Sequence, residues 1–246
     1  MLPLSIRRAA VLLVAGLPLC ACSEPPPVPL SLKIGVHEVE LIAPPEWEHL
    51  DHGREQRFDQ GMSQISLADM GPVTREGFER EIVHARELFR QRQLEDARTH
   101  LNELLLRPAF PNKGRWESFA TPWNIVRRAG AGLNTADPEV IERTYAEVLA
   151  EIAALPTPDL PTITTAMLAK LGHDERYAIA EQQAMAISGR PALLVDTWDR
   201  LSHDQRRRYV FVLNEGNLLV ARMELGRFSE MEPVFDALVA SLRFAA

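Results

Sequence analysis

The hydrophobic period of this chain changes twice, and that double change constrains its fold more than any other feature. Between Leu30 and Met70 the apolar residues alternate. Leu32, Ile34 and Val36 do so first, then Val39, Leu41 and Ala43. Pro44-Pro45 stops the second run, because proline cannot donate to a ladder and restricts the residue before it. Arg54 to Phe58 and Met62, Ile65 and Leu67 give two further strands around Asp59-Gln60-Gly61. At Gly71-Pro72 the period becomes helical, and beyond about residue 175 alternation returns. Strands, then helices, then strands again predict an α+β protein in which an antiparallel sheet is packed by helices. An all-helical stretch, 73–174, lies between the two strand-rich parts, 32–72 and 175–246.

Within that stretch, Phe78, Ile82, Ala85 and Phe89 fall at helical spacing. Leu94, Ala97, Leu101, Leu104 and Leu105 repeat it after the polar break at Arg90 to Gln93. This pattern predicts a helical hairpin that starts near Thr74 and stops at Pro108. Residues 108 to 136 are rich in proline, glycine and tryptophan and support only a short helix near Trp123. Asp137-Pro138-Glu139 then combines a capping aspartate, a proline at the first helical position and an acid at the positive end. The helix it opens would bury Ile141, Tyr145, Val148 and Ile152. Leu155 to Pro161 is a proline-broken connection, and Thr162 to Leu171 reads as another helix ending at Gly172.

The last third carries a strand-turn-strand pattern. Ala192 to Trp198 and Tyr209 to Leu213 read as strands, and Asn214-Glu215-Gly216-Asn217 turns into Leu218 to Met223. Tyr177 to Ile187 alternates loosely before the Ser188-Gly189-Arg190-Pro191 turn, yet its Glu181-Gln182-Gln183-Ala184 stretch also suits a helix. Phe235, Leu238, Val239 and Leu242 close the chain with an amphipathic helix that suits one face of the sheet.

The first 22 residues have a different character. Arg7 and Arg8 precede the apolar run Ala9 to Leu19, which ends in Leu19-Cys20-Ala21-Cys22. A basic start, a short apolar core and small residues at the end make an export signal. The run is too short to span a membrane, which takes roughly 20 apolar residues. The Leu-x-Ala-Cys ending resembles a bacterial lipobox. On that resemblance residues 1–21 are a signal peptide, and Cys22 carries a diacylglyceryl thioether that attaches the chain to a membrane. The alternative is an ordinary cleaved signal and a released protein. Residues 22–31 form a proline-rich tether with extended backbone. Ser23 follows Cys22 where many Gram-negative lipoproteins retained at the inner membrane have aspartate, so the resemblance implies the outer membrane, facing the periplasm.

The sequence holds two cysteines, Cys20 and Cys22. On the lipoprotein reading one leaves with the signal and the other is acylated, so the folded part depends on its core and not on disulfides. A composition 46% hydrophobic and 25% charged is that of a globular chain. Without Arg7 and Arg8, 25 basic residues face 34 acidic ones. The resulting net charge of −9 disfavours binding to a nucleic-acid backbone.

The order of the C-terminal elements, ending in Ala240-Ser241-Leu242-Arg243-Phe244, resembles the PsbP-like fold. That group includes PsbP and the DcrB-type and LpqN-type lipoproteins. Val39 to Ile42 running into Pro45-Glu46-Trp47 is similar to that group's opening strand and turn. The resemblance implies a PsbP-like α/β/α sandwich of residues 32–72 and 175–246 with 73–174 as a helical insertion, acting as a non-catalytic binding or assembly module of the envelope, with a membrane-associated protein as partner.

No Gly-x-Ser-x-Gly elbow, Ser-x-x-Lys pair, His-Glu-x-x-His helix or glycine-rich phosphate loop occurs in the sequence. The densest set of ligand-type side chains is Glu46 to His52. There Glu48, His49 and His52 would suit zinc or copper if a third distant ligand such as His37 folded back; otherwise the segment is a solvated loop. His84 with Glu87, and His173 with Asp174 and Glu175, read as surface residues. Arg206-Arg207-Arg208 reads as the polar start of a strand or as a contact for anionic headgroups. Trp47, Trp116, Trp123 and Trp198 serve either a ligand groove or the core. No catalytic residue and no cofactor emerge from these patterns. The expected function is protein binding or assembly at the envelope. A periplasmic carrier of a small ligand or metal is the alternative, and a hydrolase the least favoured reading.

Overall fold

The computed structural model describes residues 29–106, 117–135, 137–170, 177–201, 206–225 and 227–245. Its centre is a seven-stranded antiparallel sheet. In spatial order it contains β3 (Glu48–Asp51), β4 (Glu55–Gln60), β5 (Ser63–Pro72), β9 (Asn217–Leu225), β8 (Arg206–Asn214), β7 (Arg190–Asp199) and β6 (Tyr177–Ile187). A second sheet of three strands joins the hairpin of β1 (Leu30–Ile34) and β2 (His37–Leu41) to β10 (Arg243–Phe244). The α+β class with antiparallel sheets packed by helices is therefore the observed one.

Side chains on a strand alternate between faces, and both faces of the large sheet are buried. Val210, Val212, Leu219, Ala221, Phe58, Ile65 and Leu67 meet Ile34, Val39 and Leu41 of the small sheet. The same core takes in Met231, Phe235 and Leu238 of helix α6 (Phe228–Ser241). On the opposite face Tyr209, Phe211, Leu218, Val220 and Val195 pack against Ile163, Met167 and Leu168 of helix α5 (Leu160–Lys170). Two-sided burial explains why Tyr209 to Leu213 reads as a continuous apolar run.

The preceding helices α1 (Arg75–Arg90), α2 (Leu94–Leu106), α3 (Glu117–Gly132) and α4 (Pro138–Ala153) share a core of their own. It includes Phe78, Ile82, Ala97, Leu101, Leu104, Val126, Tyr145 and Val148. Of the helices between residues 73 and 174, α1 to α4 thus form a bundle, while α5 belongs to the sheet. Thr74 caps α1 by accepting from Gly77 N–H, and Asp137 caps α4 by accepting from Glu139 N–H at 2.9 Å. The bundle meets the sheet at the β8–β9 turn, where Gly216 C=O accepts from Val73 N–H at 2.9 Å.

Several expectations are corrected. Glu48–Asp51 is a strand and not a loop, because β4 offers it a full antiparallel ladder from Glu48↔Asp59 to Asp51↔Gln56. Val36 lies in the β1–β2 turn and is exposed, so the first alternating run ends at Ile34. The helix near Trp123 extends over sixteen residues. The strand reading of Tyr177–Ile187, by contrast, holds over its helix formers, because β7 pairs with it on both sides of a bulge at Ala180. Helix α5 begins at Leu160, where Asp159 accepts from Thr162 N–H at 2.9 Å. Pro108 and Gly172 lie outside the described residues.

Two charge networks lock helices in place. Arg208 makes a bidentate pair with Asp196, both bonds 2.7 Å, and reaches Asp236 and Glu232 of α6. Its guanidinium also lies 5.3 Å from the Phe228 ring centroid. The bonds to Asp196 raise its pKa further, and they join β7, β8 and α6. Arg208 is thus a buried tie and not a free headgroup contact; Asp204 lies outside the described residues. In the bundle, Glu142 of α4 accepts from Arg86 Nε and Arg90 Nε of α1, each at 2.9 Å.

The Glu142 network yields a pH prediction. The hydrogen bond from Arg90, helped by the one from Arg86, holds the Glu142 carboxyl below its ordinary 4.5 against the opposing effect of desolvation. A depressed folded value contributes stability that is present above 4.5 and is lost as pH falls through the folded value. Replacing Glu142 with Gln should therefore cost about 1 kcal/mol or less at pH 7, since the network is partly solvent-exposed. The gap in urea midpoints to wild type should narrow as the pH is lowered below 4.5; an undiminished gap in acid would contradict the role assigned to this carboxylate.

Candidate functional site: a cleft between sheet and bundle

Three local reversals of the chain meet at one end of the large sheet. The first is the β1–β2 turn at Gly35, and the second is the β3–β4 turn at Gly53, where Asp51 Oδ1 accepts from Gly53 N–H at 2.7 Å. The third is a β-bulge in β5, where the register against β9 shifts between Asp69 and Gly71. Gly35 N–H donates to Gly53 C=O at 3.2 Å, and Asp69 N–H donates to Arg54 C=O at 2.8 Å, so the three are fastened together.

A buried polar set lies beneath them. His37, Asp69 and Asn217 have almost no solvent exposure. The Asn214 amide lies 3.1 Å from His37 Nδ1; with the amide donating, the ring proton sits on Nε2. Nε2 faces Asp69 Oδ1 across 3.4 Å, an ion-pair distance too long for a good hydrogen bond. The same Asp69 oxygen accepts from Gly71 N–H at 2.9 Å, which stabilises the bulge. Phe244 of β10 presents its ring to His37 edge-on at 6.1 Å.

Outside this set opens a cleft of about 420 Å³. His52, Arg54, Glu55 and Asp69 form the sheet side, and Glu103 and Leu106 of α2 form the other. Arg54 reaches Glu103 at 3.0 Å across the cleft, and Glu55 holds Arg222 at 2.9 Å. The volume lies within the range of small-molecule sites. Its charged side chains are paired with one another, and its accessible lining is mainly apolar.

The candidate metal ligands Glu48, His49 and His52 are not brought together. His49 stacks on Phe58 at 5.0 Å between centroids and hydrogen-bonds Gln56 at 2.7 Å. Glu48 is exposed at the opposite parity of the same strand, and His52 faces the cleft. Their proposed third ligand, His37, is committed to Asp69 and Asn214. Among the described residues no group of three or more His, Cys, Asp or Glu side chains is arranged to hold a metal ion. Gly53 N–H, followed by the Gln56 amide, lowers the pKa of Asp51. This strengthens the turn and not a ligand set.

His84 is exposed on α1 with its ring edge-on to His100 at 4.8 Å, and Glu87 pairs with Arg90. Trp47 packs against the sheet core and Trp198 is half-buried on β7. Cys22, His173 and Trp116 lie outside the described residues, as does the side chain of Trp123. The His37–Asp69–Asn214 set escaped sequence reasoning because its members come from three distant segments. One signal was legible, namely Asp69 followed by Gly71 in the mainly apolar stretch from Ile65.

Fold and cleft together define a class: an α+β protein with two antiparallel sheets, a helical bundle on one end and a cleft at their junction. No family model matches the chain, and no curated protein matches it. Among solved structures it is similar to cyanobacterial PsbP (CyanoP) from Synechocystis sp. PCC 6803, determined in solution. That overlap covers 84% of this chain and 86% of that one at 10% identity, with a TM-score of 0.38. At that score the likeness carries no argument of its own, and the α+β assignment rests on the sheets and helices described above. Among the described residues no helix is long and apolar enough to cross a membrane, which says nothing of β-barrels.

Gly35 and Gly53 test how the sheet side of the cleft is built. Both have positive φ, +59° and +73°, so either change to alanine strains the backbone. A Cβ at Gly53 meets nothing within 4 Å, whereas one at Gly35 would lie 1.9 Å from Asp69 Oδ2. Gly53→Ala should cost about 1 kcal/mol. Gly35→Ala should cost about 3 kcal/mol or more, because a buried carboxylate must move. Equal costs in urea denaturation would contradict the Asp69 contact.

Proposed function

We propose that this chain is a lipid-anchored, non-catalytic module of the cell envelope, fixed to the outer membrane through Cys22 and acting on the periplasmic side by protein binding or assembly. The observation that carries this reading is the Leu19-Cys20-Ala21-Cys22 sequence with the proline-rich segment after it. Only Ser23 to Pro29 separate Cys22 from Leu30, the first residue of β1. Such a tether spans about 3.1 Å per residue in polyproline geometry, so the folded part stays within a few nanometres of the bilayer. The disposition of charge supports binding over catalysis. The strongly shifted groups Arg208, Tyr145 and Tyr209 owe their shifts to structural pairing or burial, and Tyr145 and Tyr209 are both pushed up to about 12 by desolvation. A PsbP-like architecture, suggested by the order of the C-terminal elements, agrees with this reading.

A second reading is favoured by one observation, the 420 Å³ cleft. In that reading the same anchored protein carries a small ligand in the cleft beside the Arg54–Glu103 pair. Both readings keep the anchor.

Cell fractionation tests the anchor. The Cys22→Ser chain should move from the membrane pellet to the soluble fraction, while wild type, labelled by radioactive palmitate, stays in the pellet. A Cys22→Ser chain that remains membrane-bound with its signal removed would overturn the proposal.

A further inference from the structure

The buried set beneath the cleft contains a titratable side chain that neither functional reading uses. His37 opens β2 and is completely buried, with its two ring nitrogens facing different strands. Nδ1 lies 3.1 Å from the Asn214 amide nitrogen at the end of β8. Nε2 lies 3.4 Å from Asp69 Oδ1 at the β5 bulge. With the amide donating to Nδ1 the ring is neutral. Three buried atoms then have no hydrogen-bond partner: His37 Nε2, Asn214 Oδ1 and Asn217 Oδ1. Each such atom costs free energy, because it has given up water for nothing.

One proton and one rotation satisfy all three. A protonated imidazole donates from both nitrogens. Turning the Asn214 amide by 180° sets its Oδ1 against Nδ1–H and exchanges two groups of nearly equal size. Asn214 and Asn217 are directly opposed in the β8–β9 hairpin, so their side chains share a face. The turned Asn214 amide nitrogen therefore points toward Asn217 Oδ1, an acceptor in place of an opposing oxygen. Across the ring, Nε2–H and Asp69 become opposite charges, which favours closing the 3.4 Å gap to a charge-assisted hydrogen bond. Imidazolium and carboxylate together are net neutral, which limits the cost of keeping them from water.

Charged groups on the surrounding elements are engaged elsewhere. Lys33 and Glu38, opposed across β1 and β2, are both exposed. In the β8–β9 turn Glu215 pairs with Arg80 of α1 at 3.0 Å. Around the β3–β4 turn Asp51 accepts from Gly53 N–H, Arg54 pairs with Glu103, and His52 faces the cleft. From β10 the Phe244 ring meets His37 edge-on.

From these contacts we infer that His37 is a proton switch. In mildly acidic solution the imidazolium ties Asp69 of β5 to Asn214 of β8, and so holds the small sheet to the large one. The neutral ring at higher pH loses the charge pair, the Asn214 amide turns back, and the tie loosens. The stability it adds is thus present in acid and lost as pH rises through the folded-state titration, opposite in sign to Glu142. Asp69 also lines the cleft, so proton uptake by His37 changes the charge balance of its wall. The inference is independent of the lipid anchor and of any ligand in the cleft.

Nitrogen-15 NMR of the histidine-labelled full chain in detergent reads the ring directly. His37, assigned by its loss in His37→Gln, should carry two N–H groups at about pH 5.5 and one, on Nε2, at about pH 8. With asparagine labelled, the Asn214 side-chain amide should shift along the same titration curve. Asp69→Asn keeps an acceptor for Gly71 N–H but removes the charge. It should lower the pH at which the ring deprotonates by about one unit or more, tenfold in proton affinity. Asn214→Asp, which accepts without turning, should raise it. The wild-type spectra decide the matter even where a variant fails to fold. A ring that stays neutral or stays protonated across this range would overturn the inference. So would an Asn214 amide that ignores the titration, or a folded Asp69→Asn chain in which the titration is unmoved.

Discussion

The ladder between β5 and β9 is the contact on which the rest of the molecule depends. It pairs Ile65 with Met223, Leu67 with Ala221 and Ala68 with Val220, residues more than 150 positions apart. Without it β3 to β5 would form a small meander and β6 to β9 another. Neither would bury both faces, and the core shared by Ile65, Leu67, Leu219 and Ala221 would be open to water. The entropic cost of closing so long a loop rises only slowly with its length. That slow rise is the reason a helical bundle can lie between two adjacent strands of one sheet. The bundle also contributes to closure, since Val73 and Thr74 at the end of β5 both donate to Gly216 in the β8–β9 turn.

Elements whose signal is local were legible in the sequence. Thr74 and Asp137 marked the starts of α1 and α4, and the spacing of Ile141, Tyr145, Val148 and Ile152 gave a buried helix face that the bundle core uses. What escaped depends on partners elsewhere in the chain. Glu48 to Asp51 have the composition of a loop and become a strand only because β4 pairs with them. The strand over Tyr177 to Ile187, by contrast, was legible from its alternation, and the β7 ladder overrides the helix formers Glu181 to Ala184, as tertiary context routinely does. Arg208 resembled its surface neighbours Arg206 and Arg207 in sequence, yet Asp196 and Asp236 draw it into the interior.

The cleft was illegible for the same reason. Its sheet side combines two hairpin turns and a bulge, its far side is the end of α2, and its charges are joined across segments by the Arg54–Glu103 and Arg222–Glu55 pairs. Sequence proximity instead suggested grouping Glu48, His49 and His52, which strand geometry separates. The N-terminal export sequence shows the opposite behaviour. It works as a linear signal read before folding, so its information lies in order and composition alone.

Hydrogen exchange resolved to individual amides measures the central dependence directly. If β5–β9 pairing closes a single sheet, the amides of Ile65 to Leu67 and Val220 to Met223 should exchange through the same opening as Val210 to Val212, with one free energy and one denaturant dependence. Exchange of β4 and β5 at a distinctly lower free energy, while β7 to β9 remain protected, would contradict the account by showing two independent units.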